Sequence, residues 1–136
     1  MANTIAMADA GSEMARWALN LNIDGHTDWY IPSRDELELL YRNLKPTTRS
    51  NYVYSHGENP SSVPVGYPYT ETSPSQTAVD AFQSDGTEAF EGEWYWSSSQ
   101  FSADLSWHQF FIGGDQSYYD KNGEFRARAV RRLIIQ

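Results

Sequence analysis

A chain of 136 residues with no cysteine is long enough for one domain with its own core, and it excludes disulfide staples, cysteine–zinc sites and thiol chemistry. A formal net charge of -8 argues against nucleic-acid binding, because phosphates are repelled over most of such a surface. No apolar run nears the roughly 18 residues needed to cross a bilayer, so membrane insertion is not expected.

The N-terminus lacks the basic-then-apolar pattern of a secretory signal. A helical pattern starts almost at Met1, which suggests the C-terminal fragment of a longer protein. Residues 3–21 are read as one helix, with Met14, Trp17, Ala18 and Leu21 on an apolar stripe and Asn22 and Gly25 ending it. In DWYIPSRDELELLYRNL, Ser33 and Glu36 have the spacing of a capping box. Pro32 holds Ile31 extended ahead of a second helix, Leu37, Leu40, Tyr41 and Leu44 form its buried stripe, and Pro46 stops it.

Residues 46–92 read as mostly irregular, punctuated by Pro60, Pro64, Pro68 and Pro74, with a short helix near Thr77–Phe82. A loop this long in a compact domain is functional or mobile, and Tyr52, Tyr54, Tyr67 and Tyr69 indicate that it packs down. From Glu93 the pattern turns to β: EWYWSSS, LSWHQFFI and DQSYY are strands, and FRARAVRRLII is a last strand. Gly113-Gly114 and Asn122-Gly123 are hairpin signals. Helices followed by an antiparallel meander define an α+β domain.

Charge is unevenly spread. Between Ser50 and Asp120 there is no Lys or Arg but there are ten acids, and half of the ten basic residues follow Asp120. The basic last strand is expected to dock on acids of the fold such as Glu91, Glu93 or Asp120, with Arg126, Arg128 and Arg132 on one face.

Alternation decides what the meander presents. Leu105, Trp107, Gln109 and Phe111 share one face of the second strand; Ser106, His108, Phe110 and Ile112 share the other. With the helices covering the first face, an aromatic and mixed-polar patch remains, built from His108, Phe110, Ile112, Asp115, Tyr118, Tyr119, Asn122 and Phe125, with Asp104 at its rim. Tyr and Phe with small polar residues between them suit a binding surface.

Catalytic chemistry finds little support. Ser97, Ser98 and Ser99 with His108 and Asp104 resemble a triad only in residue type, without a G-x-S-x-G elbow. His26, His56 and His108 lack metal-ligand spacing and read as surface or capping histidines. No cofactor is expected, a structural calcium in the acidic middle region being the one weighed exception.

HTDWYIPSRDELELLY, YWSSSQ and RARAVRR, in that order, resemble the Gly-x-x-Asp-Trp-Arg-Leu-Pro-Thr-x-x-Glu-Leu, Tyr-Trp-Ser-Ser and Arg-x-Val-Arg hallmarks of the Lcl C-terminal-like domain of bacterial collagen-like adhesins. The resemblance covers nearly the whole chain. It implies one C-type lectin-like domain over 1–136, related in fold to the formylglycine-generating enzyme group, whose cysteine-dependent activity cannot carry over. The Glu-Pro-Asn and Trp-Asn-Asp calcium motifs of sugar-binding lectins are absent, and Glu58-Asn59-Pro60 only shares their letters.

Trp94–Arg132 also resembles the variable region of retroelement-diversified proteins of phages and bacteria. That likeness implies a fixed scaffold including Trp94, Trp96, Trp107, Gln109, Phe111, Gly114 and Gln116. The substitutable positions would be Asp104, His108, Phe110, Ile112, Asp115, Tyr118, Tyr119, Asn122 and Phe125. The function so implied is non-enzymatic binding of a host or cell-surface protein or glycan, from a virion or bacterial surface. The alternative is a structural or assembly module of a tail or fibre, as a homo-oligomer.

Overall fold

The computed structural model describes residues 1–53 and 68–133. Tyr54, His56, Glu58-Asn59-Pro60, Pro64, Tyr67 and the end of the expected last strand lie outside them. The described residues form three α-helices, a 3-10 turn and a three-stranded sheet.

The first helical stretch is two helices, α1 (Ala2–Asp9) and α2 (Glu13–Leu19), where one was expected. Gly11 takes φ +102° and Ser12 caps α2, its hydroxyl accepting from the Ala15 N–H at 3.2 Å. The break turns the stripe. Ala15 and Ala18 are fully buried, while Trp17, about 100° around the helix from Ala18, is 47% exposed. Met7, Ala8 and Ala15 make a small core there with Met14 and Leu19. Thr4 ties α1 to the body: its hydroxyl accepts from the Ile31 N–H and donates to the Ile31 carbonyl.

Helix α3 (Arg34–Leu44) has the expected capping box, with Ser33 Oγ accepting from Glu36 N–H at 3.2 Å and Glu36 Oε1 accepting from Ser33 N–H at 3.1 Å. Its buried face is Leu37, Glu38 and Tyr41, with Leu40 and Leu44 half-buried. The loop after it is pinned by polar contacts. The buried Lys45 ammonium donates to the carbonyls of Arg49 and Pro74, and Asn51 Nδ2 donates to those of Thr70 and Pro74. Tyr69 enters the core, whereas Tyr52 is exposed, its N–H donating to the Gly113 carbonyl. The expected helix near Thr77–Phe82 is the 3-10 turn Asp80–Phe82.

Strands β1 (Trp94–Gln100), β2 (Leu105–Phe110) and β3 (Gln116–Asp120) pair antiparallel in the order β1-β2-β3. The core lies between α3 and this sheet: Leu37, Tyr41, Tyr69, Phe90, Tyr95 and Phe111, with Phe90 stacked on Phe111 at 4.4 Å. The last segment is not a fourth meander strand. It crosses to the far side of β1, where Arg126 bridges Tyr95 in parallel and Val130 bridges Tyr30. The arginine partners differ from those expected. Arg131 pairs with Asp28 at 2.8 Å, Arg132 lies 3.6 Å from Glu36, and Arg128 donates to the Glu88 and Ala89 carbonyls while covering Phe90. Crossing to β1 carries Arg131 and Arg132 to the Asp28–Glu36 segment, away from Asp120.

Candidate functional site

The sheet presents three environments, and the first is a buried polar knot against α3. Glu38, 2% exposed, accepts from Tyr69 Oη, from Gln109 Nε2 at 2.8 Å and from Gln116 Nε2 at 2.9 Å, and forms an ion pair with Arg42, whose Nε lies 2.8 Å away. Burial and the adjacent carboxylate push the Tyr69 phenol far above its ordinary range. Tyr41 donates to the Ile112 carbonyl at 3.0 Å, and its phenol is also raised by burial. Gly114, at φ +81°, passes under both rings: a Cβ there would come within 2.4 Å of Tyr69 and 2.5 Å of Tyr41. The knot thus fixes the β2–β3 hairpin to the helix. Gln109 and Gln116, polar residues at inward strand positions, were its signal in the sequence.

The opposite face holds a second aromatic group. Trp94 stacks on His108 at 4.1 Å and on Phe110 at 5.0 Å; Phe125 packs edge-on against Trp96, His108 and Tyr119. His108 was expected at the surface and is instead buried, 5% exposed. Two tryptophans on β1 and Phe125 folding back from the last segment enclose it. Burial lowers its pKa to about 4, and Nδ1 has no hydrogen-bond partner among the described residues.

The third environment is the β1–β2 end of the α3-side face. Phe101 and Tyr118, 49% and 44% exposed, stack at 3.9 Å with planes 7° apart. Both meet Trp107 edge-to-face, at 5.6 and 5.4 Å. The Arg34 guanidinium lies 3.8 Å over the indole and donates through Nε to Gln116.

The expected patch is therefore divided. His108, Phe110, Tyr119 and Phe125 come together, Tyr119 being 52% exposed and Phe110 and Phe125 half-buried. Tyr118 is on the other face, because adjacent strand residues alternate: it pairs with Trp107, and Tyr119 pairs with Ser106. Ile112 and Asp115 sit at the far end of the sheet, Ile112 against Gly92 and Asp115 against Gly113. Asp104 and Asn122 are exposed in turns at the opposite end. Trp107, read as scaffold, and Phe101 are the residues that accompany Tyr118.

The serines of β1 have structural partners. Ser97 Oγ donates to the Trp107 carbonyl and accepts from Ser99 N–H, and Ser99 Oγ accepts from Arg34 N–H. Among the described residues no three His, Cys, Asp or Glu side chains gather as a metal site, and no helix is long and apolar enough to cross a membrane.

These features define an α+β domain with a capped helix locked to an antiparallel sheet whose aromatic residues reach solvent at its end. The Lcl C-terminal domain family matches residues 2–131, and the chain belongs to that family. No curated protein and no solved structure matches it.

Proposed function

We propose that this chain is a non-enzymatic recognition module with a C-type lectin-like fold, shown on a virion or bacterial surface, that attaches to a protein or glycan of a host or neighbouring cell. The carrying observation is the parallel stack of Phe101 on Tyr118, half-exposed and backed by Trp107 and Arg34. Rings already held in place lose little freedom on binding. Membership of the Lcl C-terminal domain family supports a surface role.

The test is binding to arrays of surface proteins and glycans, with Phe101→Ala/Tyr118→Ala as the comparison. Loss of binding at unchanged thermal stability supports the reading; undiminished binding by the double variant removes it. If the family is diversified as the retroelement likeness implies, the exposed Asp104, Tyr118, Tyr119 and Asn122 are the positions able to change at least cost. A near-identical DNA repeat beside a reverse transcriptase gene tests that.

An assembly role is favoured by one observation: Ile5 and Trp17, 44% and 47% exposed on α1 and α2, put apolar surface on elements apart from the meander. A concentration-dependent oligomer that Trp17→Lys dissociates would support it.

A further inference from the structure

A groove of about 490 Å³ separates the α1–α2 turn from the Lys121–Phe125 turn, with the sheet as its floor. Its size falls within the range of small-molecule sites. The walls carry Met7, Met14 and Phe125, and the floor carries Trp96 and Ser106. Ser106 is 1% exposed and its hydroxyl has no hydrogen-bond partner among the described residues. Buried hydroxyls are nearly always paired, so an unpaired one in the floor of a groove points to a partner arriving from outside.

The charges decide which partner. Glu13 and Glu124, both exposed, line the groove from its two sides. Lys121 lines it too, but its ammonium already donates to Gln100 Oε1 at 2.6 Å and to the Ala103 carbonyl at 2.7 Å. Lys121 keeps its charge but is tied to these neutral acceptors, so two exposed carboxylates outweigh one ammonium at the rim, and the wall is ring and thioether, in a chain of net charge -8. The balance disfavours anions there. A cation with an apolar body meets carboxylates at the rim and polarisable groups beneath.

We propose that this groove binds a small organic ammonium compound, its body between Met14 and Phe125, its charge toward Glu13 and Glu124, and its polar hydrogens within reach of Ser106 as the floor adjusts. The site lies on the α1-side face and is independent of the Phe101–Tyr118 stack.

Backbone-amide NMR titration tests it with three probes of similar shape: 2-phenylethylamine, 2-phenylethanol and 3-phenylpropanoate. The amine should give saturable shifts at Met14, Trp96, Ser106 and Phe125, and bind about tenfold or more tightly than the carboxylate, as opposite signs of charge near two carboxylates require. Glu13→Gln/Glu124→Gln, changed only at exposed positions, should keep the fold and reduce the amine to the affinity of the alcohol. Ser106→Ala should weaken amine and alcohol together. Equal binding of all three probes, shifts that do not saturate or map elsewhere, or an amine preference that survives the double Gln change would overturn the proposal. The Phe101→Ala/Tyr118→Ala variant should titrate like the parent, so failure of the recognition reading leaves this result separate.

Discussion

Tyr118 and Tyr119 are consecutive in β3 and serve opposite faces of the sheet: Tyr118 lies flat on Phe101 at 3.9 Å, and Tyr119 meets Phe125 edge-on at 5.2 Å. The two phenols cannot belong to one contact surface. One meets Trp107, the ring that Arg34 covers, on the α3 side; the other helps enclose His108 on the α1 side.

The two tyrosines should therefore separate in experiment. Tyr118→Ala is expected to abolish or strongly weaken attachment to the surface ligand at a stability cost of about 1 kcal/mol or less, since the ring is half-exposed. Tyr119→Ala should leave attachment largely intact and shift the amide signals of His108 and Phe125. Binding assays paired with thermal melts check both; equal loss of attachment in the two variants would place the contact surface elsewhere.

Glu38 is the keystone of the α3–sheet contact because Tyr69, Gln109 and Gln116 donate to it and Arg42 forms an ion pair with it. Glu38→Ala removes the shared acceptor of these buried donors and the counter-charge of Arg42, and should cost about 3–5 kcal/mol in urea unfolding. Glu38→Gln retains one acceptor oxygen but turns an amide N–H₂ toward other donors. Its stability should fall between those of Glu38→Ala and the parent. A Gln variant as stable as the parent would show that the knot does not depend on the carboxylate.

Much of this architecture was legible because it is local. The Ser33–Glu36 box, Pro46 and the Gly113-Gly114 turn each act within a few residues and appear where their chemistry puts them, whereas Asn122-Gly123, read as a hairpin, makes a turn whose following segment leaves β3 for β1. The Gly11-Ser12 break was equally local but hidden, because an apolar spacing continues across it through Met14 and Ala18. FRARAVRRLII has strand composition, yet the place of Arg126 beside β1 depends on an edge contributed by Tyr95. The opposed directions of Tyr118 and Tyr119 follow from strand alternation alone. The burial of His108 does not, since its cover comes from Trp94 and Trp96 on β1 and from Phe125. Glu38 reads as a solvent-facing residue of an amphipathic helix until Gln109 and Gln116 are placed above it.

Gly114 and Gly25 offer a controlled comparison. Both have positive φ, +81° and +79°, but a Cβ at Gly25 meets nothing within 4 Å whereas one at Gly114 runs into Tyr69 and Tyr41. Gly25→Ala should cost about 1 kcal/mol from backbone strain alone. Gly114→Ala should cost at least about 2 kcal/mol more, because two buried rings have to move. Denaturation midpoints measure the difference, and equal costs would mean that the rings above Gly114 yield freely.

His108 gives the domain a defined acid response. Its pKa is lowered to about 4 in the folded protein, from an ordinary value of 6.5, by burial among Trp94, Trp96, Tyr119 and Phe125. Between those two values the unfolded chain binds the proton and the folded chain does not, so stability rises with pH. The contribution is complete above about pH 6.5 and is lost as pH falls toward 4, at no more than about 1.4 kcal/mol per unit. Glu36, held below its usual range by the Tyr30 and Ser33 hydrogen bonds, adds its own loss at lower pH, so the parent's curve alone is not diagnostic. His108→Phe keeps a ring against Trp94 and cannot titrate. Subtracting its stability-versus-pH curve from the parent's should leave a slope confined to pH 4–6.5. Parallel curves for the two proteins would mean that His108 titrates alike in the folded and unfolded chain.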